Sequence, residues 1–92
     1  MDQAHTLIAE AATKLATEMP AANVEVLAQA IHTGQVTRAS AVQAIPHLHY
    51  RSLAAGFIDL WRNQAPAVPQ ESVALALRTA LYCRLNLTTF VS

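Results

Sequence analysis

The sequence is poor in the residues that form tight turns, disulfides and phosphate-binding loops. Of its 92 residues, two are glycine and one is cysteine. A single cysteine excludes an internal disulfide and fits a reducing compartment such as the cytoplasm. Two glycines leave little room for tight hairpins or for a glycine-rich loop that cradles phosphate. We therefore expect a cytoplasmic protein whose fold uses few sharp turns.

Long apolar runs and an excess of one charge are also missing. No stretch approaches the roughly 18 apolar residues of a membrane span, and the N-terminus has no basic region followed by an apolar core. Six basic residues balance six acidic ones, so the formal net charge is zero. This argues against a membrane protein and against a strongly basic nucleic-acid module. The charges are uneven, because residues 1–36 have one lysine against four carboxylates and residues 37–92 have five arginines against two.

The chain is rich in residues that favour closely packed helices. Its hydrophobic fraction is 53%, and much of this is alanine, the best helix former. Apolar residues recur at helical spacing in five stretches, which are 2–18, 20–32, 38–45, 49–63 and 68–85. Residues 86–92 are instead rich in β-branched and aromatic residues, which favour an extended conformation. We predict an all-α fold, with a compact bundle of about five helices over residues 1–85 and a short extended tail over residues 86–92.

The two glycines lie at different places in this pattern. Gly34 follows the 20–32 stretch and is expected to end that helix in a left-handed conformation. Gly56 lies inside the 49–63 stretch, which also carries the single tryptophan, Trp61. There it is expected to permit a close approach of another helix.

The 68–85 stretch is apolar around most of its circumference. Val73, Leu77 and Leu81 belong to one broad stripe, while Leu75 and Tyr82, seven residues apart, form a second stripe on roughly the opposite side. A helix that is apolar all round must be covered on several sides. Leu75 and Tyr82 are therefore either core residues of a central helix or contacts for a partner, and the sequence leaves both interpretations open. The predicted partner-binding residues are Leu75, Tyr82, Leu87 and Phe90.

The arginines suggest a second kind of surface. Five arginines on one face could hold the phosphates of a nucleic acid, although arginines also keep an alanine-rich bundle soluble by extending from its surface. The candidate nucleic-acid-binding residues are Arg38, Arg51, Arg62, Arg78 and Arg84.

No recognisable catalytic or metal-binding motif is present, so we predict no catalytic residue, no metal and no cofactor. The one local pair of histidines is His47 and His49, and no cysteine or carboxylate lies at a spacing that would complete a zinc site. Cys83 has no base that can be placed beside it, and we interpret it as a core or interface residue.

Three stretches resemble the N-terminal helical region of a protein family. They are LATEMPAANVEVLAQAI at 15–31, AAGFIDLWRNQAP at 54–66 and ESVALALRTAL at 71–81. Together with the order of segments over residues 7–85, they are similar to phospholipase D-like proteins of bacterial DISARM antiphage systems, of the DrmC type. In that family a catalytic domain with HxKxxxxD motifs follows the helical region. No such motif occurs here, so the resemblance implies a defence-linked accessory domain without phosphodiesterase activity.

The sequence thus predicts a non-catalytic helical domain for protein interaction or assembly, with a protein partner or self-association. The alternative is a small nucleic-acid-associated helical subunit that uses the arginines, in the manner of CRISPR small subunits. A metal-assisted enzyme around His47 and His49 is the weakest of the three hypotheses.

Overall fold

The computed structural model describes residues 3–34, 43 and 45–91, with side chains described up to residue 84. It contains four α-helices and, in these residues, no strand, so the all-α prediction is confirmed. The helices are α1 (Gln3–Glu18), α2 (Ala21–His32), α3 (Leu48–Gln64) and α4 (Gln70–Val91).

The predicted helix over residues 38–45 lies almost wholly outside the described residues. Within that stretch, Gln43 lies in a turn and Ile45 has no regular structure. Ile45 is nevertheless fully buried and belongs to the hydrophobic core, so the chain before α3 contributes to packing.

The predicted extended tail is wrong, because α4 continues without a break to Val91. No glycine or proline follows residue 85 to stop the helix. Each residue added to an existing helix gains a hydrogen bond, and Asn, Thr or Phe costs less than about 0.7 kcal/mol relative to alanine. The strand propensity of β-branched residues stabilises an extended conformation less than this hydrogen bond stabilises the helix when no neighbouring strand exists. Long as α4 is, none of the described helices is both long and apolar enough to cross a membrane.

The end of α2 is formed as the sequence predicts. Gly34 has a φ of 93°, and its N–H donates to the carbonyl of Ile31 at 3.1 Å. The preceding N–H, that of Thr33, donates to the carbonyl of Gln29 at 3.0 Å. These bonds occupy carbonyls that would otherwise lack partners at the helix end.

Helix α4 makes the most extensive contacts, with α2 on one side and α1 on the other. Helix α3 packs on α1, so α1 lies between α3 and α4. Although the sequence of α4 is apolar around most of its circumference, α4 is not the shared partner of all three other helices, because α3 packs chiefly on α1. The predicted broad stripe of α4 is buried, with Val73, Leu77 and Leu81 all in the core.

The single tryptophan anchors the loop between α3 and α4. Trp61 is 2% exposed, and its indole N–H donates to the carbonyl of Val68 at 2.8 Å. Ala65 and Val68 are buried in the same cluster. A buried polar group needs such a partner, so the loop path is fixed by this bond as well as by apolar burial.

Candidate protein-interaction face

A groove of about 520 Å³ runs along the outer surface between α1 and α4. The part of α4 that lines the groove ends at Arg84, which contacts the carbonyls of Ala16 and Met19 at the C-terminal end of α1. Because the C-terminal ends of both lining segments meet here, α1 and α4 run parallel along the groove. The lining residues are His5, Ala9, Thr13, Ala16, Thr17, Ser72, Leu75, Ala76, Thr79, Ala80, Cys83 and Arg84.

Short side chains create this groove. Ala9 and Ala16 on α1 face Ala76 and Ala80 on α4 across a gap that larger residues would fill. On α1 the hydroxyl of Thr13 donates to the carbonyl of Ala9 at 2.9 Å. This bond satisfies the hydroxyl donor of Thr13 within its own helix.

Leu75 and Tyr82 are exposed on the outer side of α4, with 65% and 66% of their surface accessible. The interpretation that they belong to the core is therefore wrong, and the stripe points outward. Leu75 lines the groove, and Tyr82 shares its helix face because it lies two turns further along. We name the groove lining together with Tyr82 the α1–α4 face.

Leu87 and Phe90, the other predicted partner-binding residues, lie in the last turns of α4. Their side chains are outside the part of the chain that the structure describes. Their prediction as partner contacts is therefore untested. Because this segment is helical, it offers no edge strand that could pair with another chain.

Arg84 has a structural role that the sequence did not indicate. Its guanidinium donates to the carbonyl of Ala16 and, at 2.6 Å, to that of Met19. The last carbonyls of a helix lack partners within the helix, and the negative end of the helix dipole favours a cation. Since the last turn of α1 has no basic residue of its own, α4 supplies the charge that caps α1.

The other described arginines are also engaged within the chain. Arg51 donates to the carbonyls of Ile45 and Gln43, which ties the chain before α3 to that helix. Arg78 donates to the side-chain oxygen of Gln29 at 2.8 Å and so joins α4 to α2.

Arg62 lies over the ring of Trp61, with its guanidinium carbon 5.1 Å from the ring centroid. Arg38 lies outside the described residues. Three of the four described arginines thus direct N–H groups at oxygens of the chain itself.

The histidine pair does not converge on a shared site. His47 precedes α3 in an extended conformation, and His49 lies in its first turn. Their rings contact Tyr50 instead, at centroid distances of 5.8 and 5.3 Å. Among the described residues, no three His, Cys, Asp or Glu side chains are grouped as metal ligands would be. Cys83 is exposed and lines the groove, so it belongs to a surface and not to the core.

The α1 half of the face was missed by sequence reasoning. Ala9 and Thr13 are small exposed residues, and an exposed alanine carries no signal in a chain so rich in alanine. Finding them requires the knowledge that α1 and α4 are neighbours and run parallel. Comparison with protein families, with curated proteins and with solved structures found no match for this chain. The likeness to DISARM-associated proteins therefore stays a prediction from the sequence.

Proposed function

We propose that this chain is a non-catalytic helical module that binds a protein through the α1–α4 face. The observation that carries the proposal is the groove between α1 and α4 beside the exposed side chains of Leu75 and Tyr82. Grooves lined by apolar residues are common binding sites for an amphipathic helix. Large exposed apolar side chains beside such a groove are typical of interaction sites.

A role in bacterial antiphage defence is part of this proposal, and it rests on the sequence resemblance alone. The helical region of the similar proteins precedes a catalytic domain. A helical domain of this kind would act by holding other components together. The α1–α4 face is where such a component would bind.

The nucleic-acid alternative has less support than the protein-binding proposal. Phosphate binding requires guanidinium groups that point toward the nucleic acid. Arg51, Arg78 and Arg84 direct hydrogen bonds toward oxygens of this chain instead. Binding to a DNA or RNA duplex at two salt concentrations tests this alternative, because phosphate contacts make the affinity fall with salt.

Site-specific photo-crosslinking tests the protein-binding proposal. A photoreactive benzoylphenylalanine replaces Thr79, which is exposed and lines the groove, in cells of the source organism. We expect a covalent product between this chain and a protein, and we expect Leu75→Asp to reduce its yield. The control places the same probe at Glu25, an exposed position on α2. Equal yields from the two positions would contradict the proposal.

A further inference from the structure

We propose that the α1–α4 face binds a second copy of this chain, with α4 of each copy lying in the groove of the other. This inference rests on the proposed function, because it names the partner of the same face. The face carries the two complementary shapes that self-association requires. Its groove is walled by short side chains, and its ridge on α4 bears Leu75 and Tyr82. In a two-fold interface one patch must supply both the projecting and the receiving side.

The charges on this face permit two copies to meet. Near a two-fold axis, a charged residue lies close to its own counterpart and is repelled. No lysine, aspartate or glutamate is among the described residues that line the groove. Arg84, at one end, directs its guanidinium to the carbonyls that end α1. Between His5 at one end and Arg84 at the other, the groove lining therefore carries no charged side chain, and it favours an apolar, uncharged partner surface such as its own.

The size of the face fits a weak dimer. Helix α1 has 16 residues and is about 24 Å long, and two adjacent helices are about 20 Å wide. Each copy would bury about 500 Å², so that the total of about 1,000 Å² lies at the lower limit for specific interfaces. We therefore expect a dimer that forms and dissociates with protein concentration.

If α4 of each copy lies in the groove of the other, only one direction of the two-fold axis is possible. An axis perpendicular to the helices would place α4 of one copy on α4 of the other and one groove on the other groove. An axis parallel to the helices lets each α4 lie between α1 and α4 of the other copy. Ser72, Ala76, Thr79 and Cys83, spaced by four, three and four residues, then form the seam between the two α4 helices. Rotation about an axis parallel to the helices leaves each residue at the same height along that axis, so Cys83 of one copy faces Cys83 of the other.

Sedimentation of the purified full chain tests the association. The chain has a mass of 9.9 kDa. Between about 1 µM and 1 mM, we expect the mass to rise toward twice the monomer value, as mass action requires. Leu75→Asp should shift the midpoint at least about tenfold to higher concentration, since it places a charge in the contact. Leu75 is exposed in the monomer, so this variant should keep the circular dichroism spectrum and melting temperature of the dilute wild-type protein.

Leu48 offers a matched control. Among the residues whose side chains are described, it is the other strongly exposed leucine, at 79%, and it lies at the start of α3 and not in the groove lining. Leu48→Asp introduces the same charge and removes the same side chain, and we expect the sedimentation midpoint to be unchanged. A midpoint that moves equally in Leu48→Asp and Leu75→Asp would overturn the proposed face.

Oxidation of the native cysteine tests the symmetry. Diamide accepts the two electrons released when two thiols form a disulfide, so it should link Cys83 of the two copies at concentrations where the dimer forms. A disulfide requires the two Cα atoms to approach within about 7 Å. The control is Glu25→Cys combined with Cys83→Ser, whose thiol lies at an exposed position of α2. Cross-linking of Cys83 no faster than this control would overturn the parallel arrangement.

A protein that remains monomeric at about 1 mM would overturn self-association, because a specific interface of this size should be populated by then. The photo-crosslinking experiment separates this failure from that of the proposed function. A product at Thr79 with twice the mass of the chain supports the second copy. A product of any other mass would overturn the second copy and leave protein binding at this face supported.

Discussion

Arg84 illustrates how one residue connects the helices of this small fold. The sequence groups Arg84 with the candidate surface arginines, but its guanidinium donates to the carbonyls of Ala16 and Met19. A sequence cannot assign this role, because the acceptors lie more than 60 residues away. They are also backbone atoms, which have no sequence signature.

Replacing Arg84 tests this contact. Arg84→Met keeps an apolar stem of similar length but leaves the last carbonyls of α1 without their charged donor. We expect the free energy of unfolding to fall by about 1–3 kcal/mol, as for hydrogen bonds from a charged group. Urea denaturation of dilute protein measures this change. In the control, Arg62→Met removes a stacked arginine at an exposed position and should cost less than about 1 kcal/mol. Equal losses would contradict the capping role of Arg84.

The two glycines should respond to substitution with opposite signs. Apart from its chain neighbours and the nearby backbone of its own helix, no atom lies within 4 Å of the position where a Cβ on Gly56 would be, so the expected close helix approach at this residue is wrong. Gly56→Ala therefore adds helix propensity without a clash, and should raise the free energy of unfolding by about 0.5–1 kcal/mol. Gly34 has a positive φ, so Gly34→Ala should lower it by about 1–2 kcal/mol. Urea denaturation of both variants checks the signs, and a destabilised Gly56→Ala would contradict the open surface at that position.

At the scale of the helices, the spacing of apolar residues predicts the structure correctly, whereas the strand propensity of residues 86–92 does not. The apolar spacing located α1, α2, α3 and the buried stripe of α4, because a helix must bury the face that carries such residues. The prediction of an extended tail over residues 86–92 is wrong, because it rests on β-branched and aromatic residues alone. Strand propensity reflects packing on a sheet, and the described chain has none.

The helical tail has its own test. In an NMR spectrum of the full chain, the Cα chemical shifts of residues 86–91 should show the displacement typical of helix. Thr88→Pro should remove it from these residues, since proline lacks the N–H that a helix interior uses. The shifts of the core residues of α4, such as Leu77, should be unchanged. Extended-type shifts at residues 86–91 in the wild-type chain would contradict the continuous α4.

At the scale of the whole molecule, the candidate face is a consequence of helix order. Half of it, on α4, was visible in the sequence because Leu75 and Tyr82 are large apolar residues opposite the buried stripe. The other half, on α1, consists of small residues that become a groove wall once α1 lies parallel to α4. The arginines show the converse, because three of the four that the structure describes direct hydrogen bonds to oxygens of the chain itself.

Cys83 reports on this face directly, because it lines the groove, is exposed and is the single cysteine of the chain. The decisive measurement is the rate at which N-ethylmaleimide alkylates Cys83 in an extract of the source organism, compared with dilute purified protein. The variant that combines Glu25→Cys with Cys83→Ser corrects for reagent lost to the extract. If the α1–α4 face is a protein-binding site, Cys83 should react several-fold more slowly in the extract after this correction or, where the partner is a second copy, in purified protein at about 1 mM. Rates equal to that of dilute purified protein under both conditions would contradict it.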